Sequence, residues 1–228
     1  MIIDGKQFAS MCDVGNMKVW ATKDDMRYAV DIAKRYGCCS VYGLKCWAPY
    51  MAELLRGTGI NLEFSVCNNA GSDDIEVKKF GAARYVELGL TEVETYLNFS
   101  YLKSGMYDEC VKDVLAVRQS IPKDMVLKVI IQTPLLSDKE ITEACEICVD
   151  GGATFVKTGN MEYGRTTFHA VELIANTLKG RAKIKATPPF ENIDEIYRFL
   201  DLGVTRFGIG VDQLVYLVNE ANYRVYGK

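Results

Sequence analysis

The sequence is poor in histidine: His169 is the only one in 228 residues. A lone imidazole has no second histidine with which to build a zinc site, and in the run TTFHAVELIANTL it reads as a helix-surface or packing residue. Positive charge is not in excess either, since 27 Lys and Arg stand against 30 Asp and Glu for a net charge of -3. That balance supplies no field to gather nucleic acid or an anionic membrane, so an anionic substrate must be held by local lysines and arginines. No apolar stretch approaches the roughly 18 residues of a membrane span. The opening MIIDGKQFASMCDVG has no basic region followed by a long apolar one, so the expected location is the cytoplasm. Neither G-x-G-x-x-G nor a P-loop occurs, which removes the usual signature of a nucleotide fold. Cys145 and Cys148 form C-x-x-C inside a helical run, but no second pair stands at zinc-ligand spacing. The eight scattered cysteines are therefore expected to be reduced thiols and no metal is expected.

What is present is regularity. Hydrophobic residues make up 49% of the chain, enough for a substantial core. Short β-rich runs recur: CCSVYGL, INLEFSV, TEVETYL, MVLKVII, ATFVKT, AKIKAT and VTRFGIG. Each is followed by a segment of helical period, such as DIEVKKFGAARYVELG or DKEITEACEICVDGG. Ser137, Thr166 and Asn192 stand where N-caps belong, and Gly89, Gly151, Gly180 and Gly203 where helices stop. Strands alternating with helices imply parallel pairing, and seven clear units plus a weaker one near MCDVGNMKVW make eight. Eight units close a (β/α)8 TIM barrel; an open doubly wound sheet is the alternative, without its glycine-rich first turn. No linker or low-complexity segment interrupts residues 1–228, so one domain is expected.

In such a barrel the chemistry belongs at the C-terminal ends of the strands. That rule selects Asn68 and Asn69, Glu94, Lys128 and Gln132, Lys157 and Lys185. Lys157 and Lys185 end consecutive strands, which run about 5 Å apart, and both follow apolar residues. Imine formation with a carbonyl wants such a setting because it needs a neutral amine. A lysine of ordinary pKa is neutral about once in two thousand at pH 7, and bringing its pKa to about 7 means disfavouring the cation by roughly 4 to 5 kcal/mol. Desolvation and a second ammonium can supply that, with Lys157 as nucleophile and Lys185 as the tuning cation. Glu94 is placed to move protons, with Lys128 holding its carboxylate. Inward lysines also form structural networks or bind anions, so spacing alone leaves imine chemistry, structural lysines and other chemistry open.

The same residues carry a resemblance. LKVIIQTPLLSDKEITEACEICVDGGATFVKTGN is similar to the deoxyribose-phosphate aldolase family, whose pattern reads LKVIIET, L-T-D-E, ACEIA and GADFVKTSTG. EVETYLNFSYLKSGMYDECVKDVLAV, DVGNMKVWAT and TRFGIG resemble the family's segments at corresponding places, so the likeness spans nearly the whole chain. The resemblance implies a (β/α)8 barrel and a cofactor-free class I aldolase, usually joining acetaldehyde to glyceraldehyde 3-phosphate. It places the Schiff-base lysine on Lys157, the second lysine on Lys185 and the catalytic carboxylate on Glu94, where the family has aspartate. The expected partner is a small aldehyde, ketone or sugar phosphate, and a homodimer is one assembly left open. An imine-forming dehydratase or condensing enzyme and a non-catalytic metabolite-binding barrel are the alternatives.

Departures cluster where the family would hold phosphate. After Lys157 and Thr158 the pattern S-T-G becomes Gly159, Asn160 and Met161, with Glu162 next. Pro188 and Pro189 replace two glycines, and proline offers no N–H donor. G-T-S becomes Gly208, Ile209 and Gly210, removing a hydroxyl. Elsewhere on the expected mouth, Lys45 and Trp47 occupy the family's V-N-P segment. Lys45 and Arg165 are candidates for a relocated anion site, and Tyr226 near the C-terminus is a candidate to reach the mouth.

Overall fold

Alternation of apolar and polar residues in the short strands decides the architecture. In NLEFS, Leu62 and Phe64 are buried in the main hydrophobic core, which leaves Glu63 on the opposite face of the strand. The same parity sets Asp13 between Cys12 and Val14, Glu92 and Glu94 around Val93, and Lys128 between Leu127 and Val129. A computed structural model, describing residues 2–227, realises this pattern as a closed barrel. Eight parallel strands pair in chain order: β1 (Cys12–Gly15), β2 (Ser40–Tyr42), β3 (Asn61–Ser65), β4 (Glu92–Tyr96), β5 (Val126–Ile130), β6 (Phe155–Lys157), β7 (Lys183–Ala186) and β8 (Val204–Gly210). β8 pairs back onto β1, so the sheet has no edge and the open-sheet alternative falls away.

The helices are α1 (Gly5–Ala9), α2 (Lys23–Tyr36), α3 (Ala48–Leu55), α4 (Ile75–Glu87), α5 (Phe99–Lys103), α6 (Tyr107–Gln119), α7 (Asp138–Asp150), α8 (Phe168–Leu178), α9 (Ile193–Asp201) and α10 (Val211–Tyr226). Outward strand residues such as Val41, Val93, Leu127, Val156 and Phe207 pack with the helices into one core, so the greasy layer of this protein encircles the barrel. The start of α7 follows the sequence signal: Ser137 caps Glu140 N and the Glu140 side chain returns the bond to Ser137 N. Asn192 likewise caps α9, whereas the cap of α8 is Thr167 and not Thr166, whose hydroxyl is buried among other threonines. Beyond α8 the left-handed turn begins at Lys179, φ 48°, one residue before Gly180. Cys145 and Cys148 are both buried on α7, and all eight cysteines are free thiols. Among the described residues no helix is long and apolar enough to cross a membrane.

Candidate active site

Each strand sends at least one polar or charged group into the barrel. Branched aliphatic residues usually fill that space; here four carboxylates, Asp13, Glu63, Glu92 and Glu94, meet four cations, Lys128, Lys157, Lys185 and Arg206. At the lower end Arg206 bonds Asp13 Oδ1 at 2.6 Å, and its guanidinium lies 5.3 Å from the centre of the Phe155 ring. Above it, Lys128 Nζ lies 2.8 Å from Asp13 Oδ2 and 2.5 Å from Glu92 Oε2, and it also bonds Glu63. The Glu92 oxygen lies off the ammonium's hydrogen-bond direction and is left without a hydrogen bond, so that contact is purely coulombic. Asp13, Glu63 and Glu92 are close enough to ligate a cation, and the Lys128 ammonium takes that position.

The next layer is the candidate catalytic group. Lys157 and Lys185 are register partners on β6 and β7. Lys185 Nζ donates to Glu63 Oε1 at 2.6 Å and to Glu94 Oε1 at 2.8 Å, and pairs with Asp13 at 2.6 Å. Lys157 Nζ grips both oxygens of Glu94, at 2.8 and 2.7 Å. Lys185 is fully buried whereas Lys157 retains 9% exposure, so Lys157 is the amine that faces the mouth. Burial drives the Lys157 pKa below the ordinary lysine value; Glu94 opposes that and Lys185 reinforces it. Burial also works against the charge on Lys185, but Asp13, Glu63 and Glu94 outweigh it and hold the ammonium firmly charged. For Glu94 burial alone would raise the pKa, yet Lys157, Lys185 and Lys128 bring it down to about 2. The result is a lysine biased towards neutrality beside a carboxylate and a permanent cation.

Lys128 pairs not with Glu94, as expected from the sequence, but with three other carboxylates, and acts on Glu94 only through its charge. Its ammonium is one layer deeper, engaged with Asp13, Glu63 and Glu92, because the Glu94 side chain rises towards Lys157. The supporting polar residues divide. Gln132 donates to Asn160 Oδ1 at 2.8 Å, Asn160 donates to the Tyr96 hydroxyl at 2.8 Å, and Asn69 donates to Glu162 at 2.8 Å. These bonds connect the loops after β3, β5 and β6 above Lys157. Met161, between Asn160 and Glu162, holds φ 76°, a conformation that a methionine seldom adopts. Thr158 is buried in a hydroxyl cluster with Thr166 and Thr187, at 2.6 and 3.0 Å. Asn68 closes its own loop against Ser72 and Asp73 instead of turning to the lysines. Lys45 donates to Cys67 O at 2.8 Å at the end of β3.

Two candidates, Arg165 and Tyr226, are engaged elsewhere, and Trp47 makes a packing contact after the end of β2. Arg165 is taken up by Glu191 and Glu195, both at 2.6 Å. Trp47 stacks edge-on with Tyr50, centroids 6.3 Å apart. Tyr226 ends α10, which starts at the mouth and runs down the barrel, so its hydroxyl bonds Asp4 at the opposite end. Sequence reasoning missed Asp13, Glu63, Glu92, Tyr96 and Arg206, all inward residues that strand parity would have found. Hollows of about 480 Å³ on the outer face of α10 and about 490 Å³ beside the loops entering β3 and β4 do not contain Lys157.

Comparison with known proteins decides the lineage of this constellation. A deoxyribose-phosphate aldolase from Corynebacterium diphtheriae is 32% identical over 209 residues, covering 91% of this chain and 94% of its own. The chain belongs to the deoxyribose-phosphate aldolase family. The family's enzyme from Carboxydothermus hydrogenoformans is 30% identical over 228 residues, 97% of this chain and 100% of its own. Among solved structures, the tetrameric deoxyribose phosphate aldolase from Aeropyrum pernix superposes with a TM-score of 0.85 at 22% identity, over 95% of this chain and 91% of that one, which shows the shared barrel. No protein-family profile matches the chain. Membership makes this a class I aldolase, a lyase acting on carbon-carbon bonds, and removes the non-catalytic reading.

Proposed function

We propose that the Lys157 amine condenses with the carbonyl of a small aldehyde or ketone, that Lys185 holds a fixed cation beside it, and that Glu94 handles the proton of the reacting hydroxyl. In the cleavage direction the carbonyl is bound as an iminium on Lys157. Glu94 takes the proton of the hydroxyl, the carbon-carbon bond breaks, and its electrons pass into the iminium to leave an enamine. Protonation of that enamine and hydrolysis by water release the second carbonyl product and restore the amine. The observation that carries this reading is the bridge in which Lys157 and Lys185 share one oxygen of Glu94, each at 2.8 Å. Incubation with acetaldehyde and other carbonyls, borohydride reduction and peptide mapping test it. An adduct on Lys157 is expected; its absence with every carbonyl overturns the reading.

The relatives are named for deoxyribose-phosphate, so that sugar phosphate is the first substrate to test. We propose that this chain does not depend on the phosphate. Pro188 and Pro189 offer no N–H, Phe190 is buried against Phe199 and Phe207, and the Glu162 carboxylate stands in the loop after β6. Deoxyribose 5-phosphate and deoxyribose are expected to differ by less than about tenfold in kcat/KM, under ~1.4 kcal/mol. A larger preference for the phosphorylated sugar removes this part of the reading. A homo-oligomer in the cytoplasm belongs to the same proposal; the free cysteines and the tetrameric relative support it, and light scattering reporting a monomer would remove the oligomer.

A further inference from the structure

Glu63 is a buried carboxylate, 1% exposed, that the mechanism above does not use. It ends an unbroken hydrogen-bonded chain: Lys157 Nζ to Glu94 Oε1 at 2.8 Å, Glu94 Oε1 to Lys185 Nζ at 2.8 Å, and Lys185 Nζ to Glu63 Oε1 at 2.6 Å. The barrel interior is balanced, four carboxylates against four cations, so a neutral Lys157 with every carboxylate ionised would leave a buried negative charge. Nucleophilic attack requires that neutral amine. The proton therefore needs an internal home.

We propose that Glu63 is a positioning residue that stores the proton of Lys157, acting through Glu94 and Lys185, so that the amine becomes neutral without a change in the charge of the barrel. This rests on the reading of Lys157 as the imine-forming residue. Lys157 gives a proton to Glu94, Glu94 passes one to Lys185, and Lys185 passes one to Glu63. The outcome is a neutral amine, an ionised Glu94, a charged Lys185 and a protonated Glu63. After the amine has added to the carbonyl, the proton returns by the same chain to the carbinolamine hydroxyl. That group leaves as water and the iminium carries the positive charge, so no proton is exchanged with solvent overall.

The surroundings suit a carboxyl that changes state. Facing Glu63 are Asp13 from β1, Tyr42 from β2, Glu92 and Glu94 from β4, Lys128 from β5, Lys157 from β6 and Lys185 from β7, with Arg206 of β8 beyond Asp13. Burial, then the charges of Asp13 and Glu94, push the Glu63 pKa up to about 7 against the pull of Lys128 and Lys185. Glu94, closer to the amine, is held too acidic to keep the proton.

The test is the pH profile of imine formation. Protein is mixed with acetaldehyde between about pH 7.5 and 9.5, above the Glu63 titration so that Glu63 starts ionised, quenched with borohydride at set times, and the Lys157 adduct is quantified by mass. Internal transfer leaves the proton count unchanged, so the natural protein should vary less than about threefold over this range. In Glu63→Gln the proton must leave for solvent, and the rate should fall roughly tenfold per pH unit below the new Lys157 pKa. Glu63→Asp should keep the flat profile. A Glu63→Gln profile as flat as that of the natural protein, at any absolute rate, overturns the proposal, because a purely structural loss lowers all pH values alike. If Glu63→Gln does not fold, the natural protein decides: a profile falling tenfold per unit overturns the proposal and a flat one supports it. Absence of any Lys157 adduct removes the imine reading and this inference with it, whereas an adduct with a steep natural profile removes the inference alone.

Discussion

The inside of the barrel and the rim above it use polar residues in opposite ways. Inside, apart from Ser40 and Tyr42 of β2, the polar groups named above are ions, each cation touching two or more carboxylates except Lys157, which has Glu94 alone. On the rim they are mostly neutral amides and a hydroxyl, Asn69, Gln132 and Asn160 from loops and Tyr96 from the end of β4, with Glu162 as the charged member of that network. Buried ions are expensive unless fully paired, so the interior tolerates few changes and the reactive amine is the one with the fewest anchors. Asn69 and Glu162, the exposed members, are cheap to exchange, which lets a rim change its substrate while the chemistry beneath stays.

The comparison breaks most severely at Lys157. Lys157→Ala removes the outer amine of the Lys157–Lys185 pair and should lower kcat/KM by about 10⁴-fold or more, with no borohydride adduct, since covalent catalysis is lost. Adduct formation elsewhere with substantial turnover would move the chemistry from the inner wall. Lys128→Met should come next. It leaves Asp13, Glu63 and Glu92 without their shared ammonium and should cost about 3–5 kcal/mol in urea unfolding. A loss within 1 kcal/mol would mean that the interior does not depend on charge balance.

Acid should act on the interior before the rim. The Glu94 pKa is held down to about 2, below its ordinary 4.5, so its stabilisation is present above pH 4.5 and disappears as pH falls towards 2. That swing is about 3 kcal/mol. Glu63 has the opposite sign: pushed up to about 7, it favours the fold most below pH 4.5 and progressively less as pH rises through 7. Urea titrations should therefore show stability rising from pH 8 to about 5 and falling below 4.5, and Glu63→Gln should remove the first change only. The smallest effect belongs to the rim. Glu162→Gln keeps an oxygen for Asn69 but removes a negative charge, and should favour phosphorylated over neutral sugar by about two- to fivefold, less at high salt. An unchanged ratio would take the carboxylate out of substrate choice.

Much of this was legible in the sequence because a barrel couples pattern to place. Eight β/α repeats gave the closed sheet, and the rule of strand ends brought Lys157, Lys185 and Glu94 together, as they are found. The same rule failed one turn deeper. It picked Lys128 as a partner of Glu94, whereas the closed barrel supplies three nearer carboxylates from β1, β3 and β4. Glu63 went unnoticed because a charged residue in NLEFS also fits a strand with one wet face; only closure turns that face inward. Tyr226 was misplaced because α10 carries the chain end away from the mouth, a direction that residue type does not encode.

The bond from Asn69 to Glu162 joins the loops after β3 and β6 and so passes over the ends of β4 and β5. With Asn160 on Tyr96 and Gln132 beneath it, that half of the doorway is latched. A change at Asn160 therefore reaches the loops after β5 and β6 and the end of β4 together, since its amide meets Gln132, Tyr96 and Glu162.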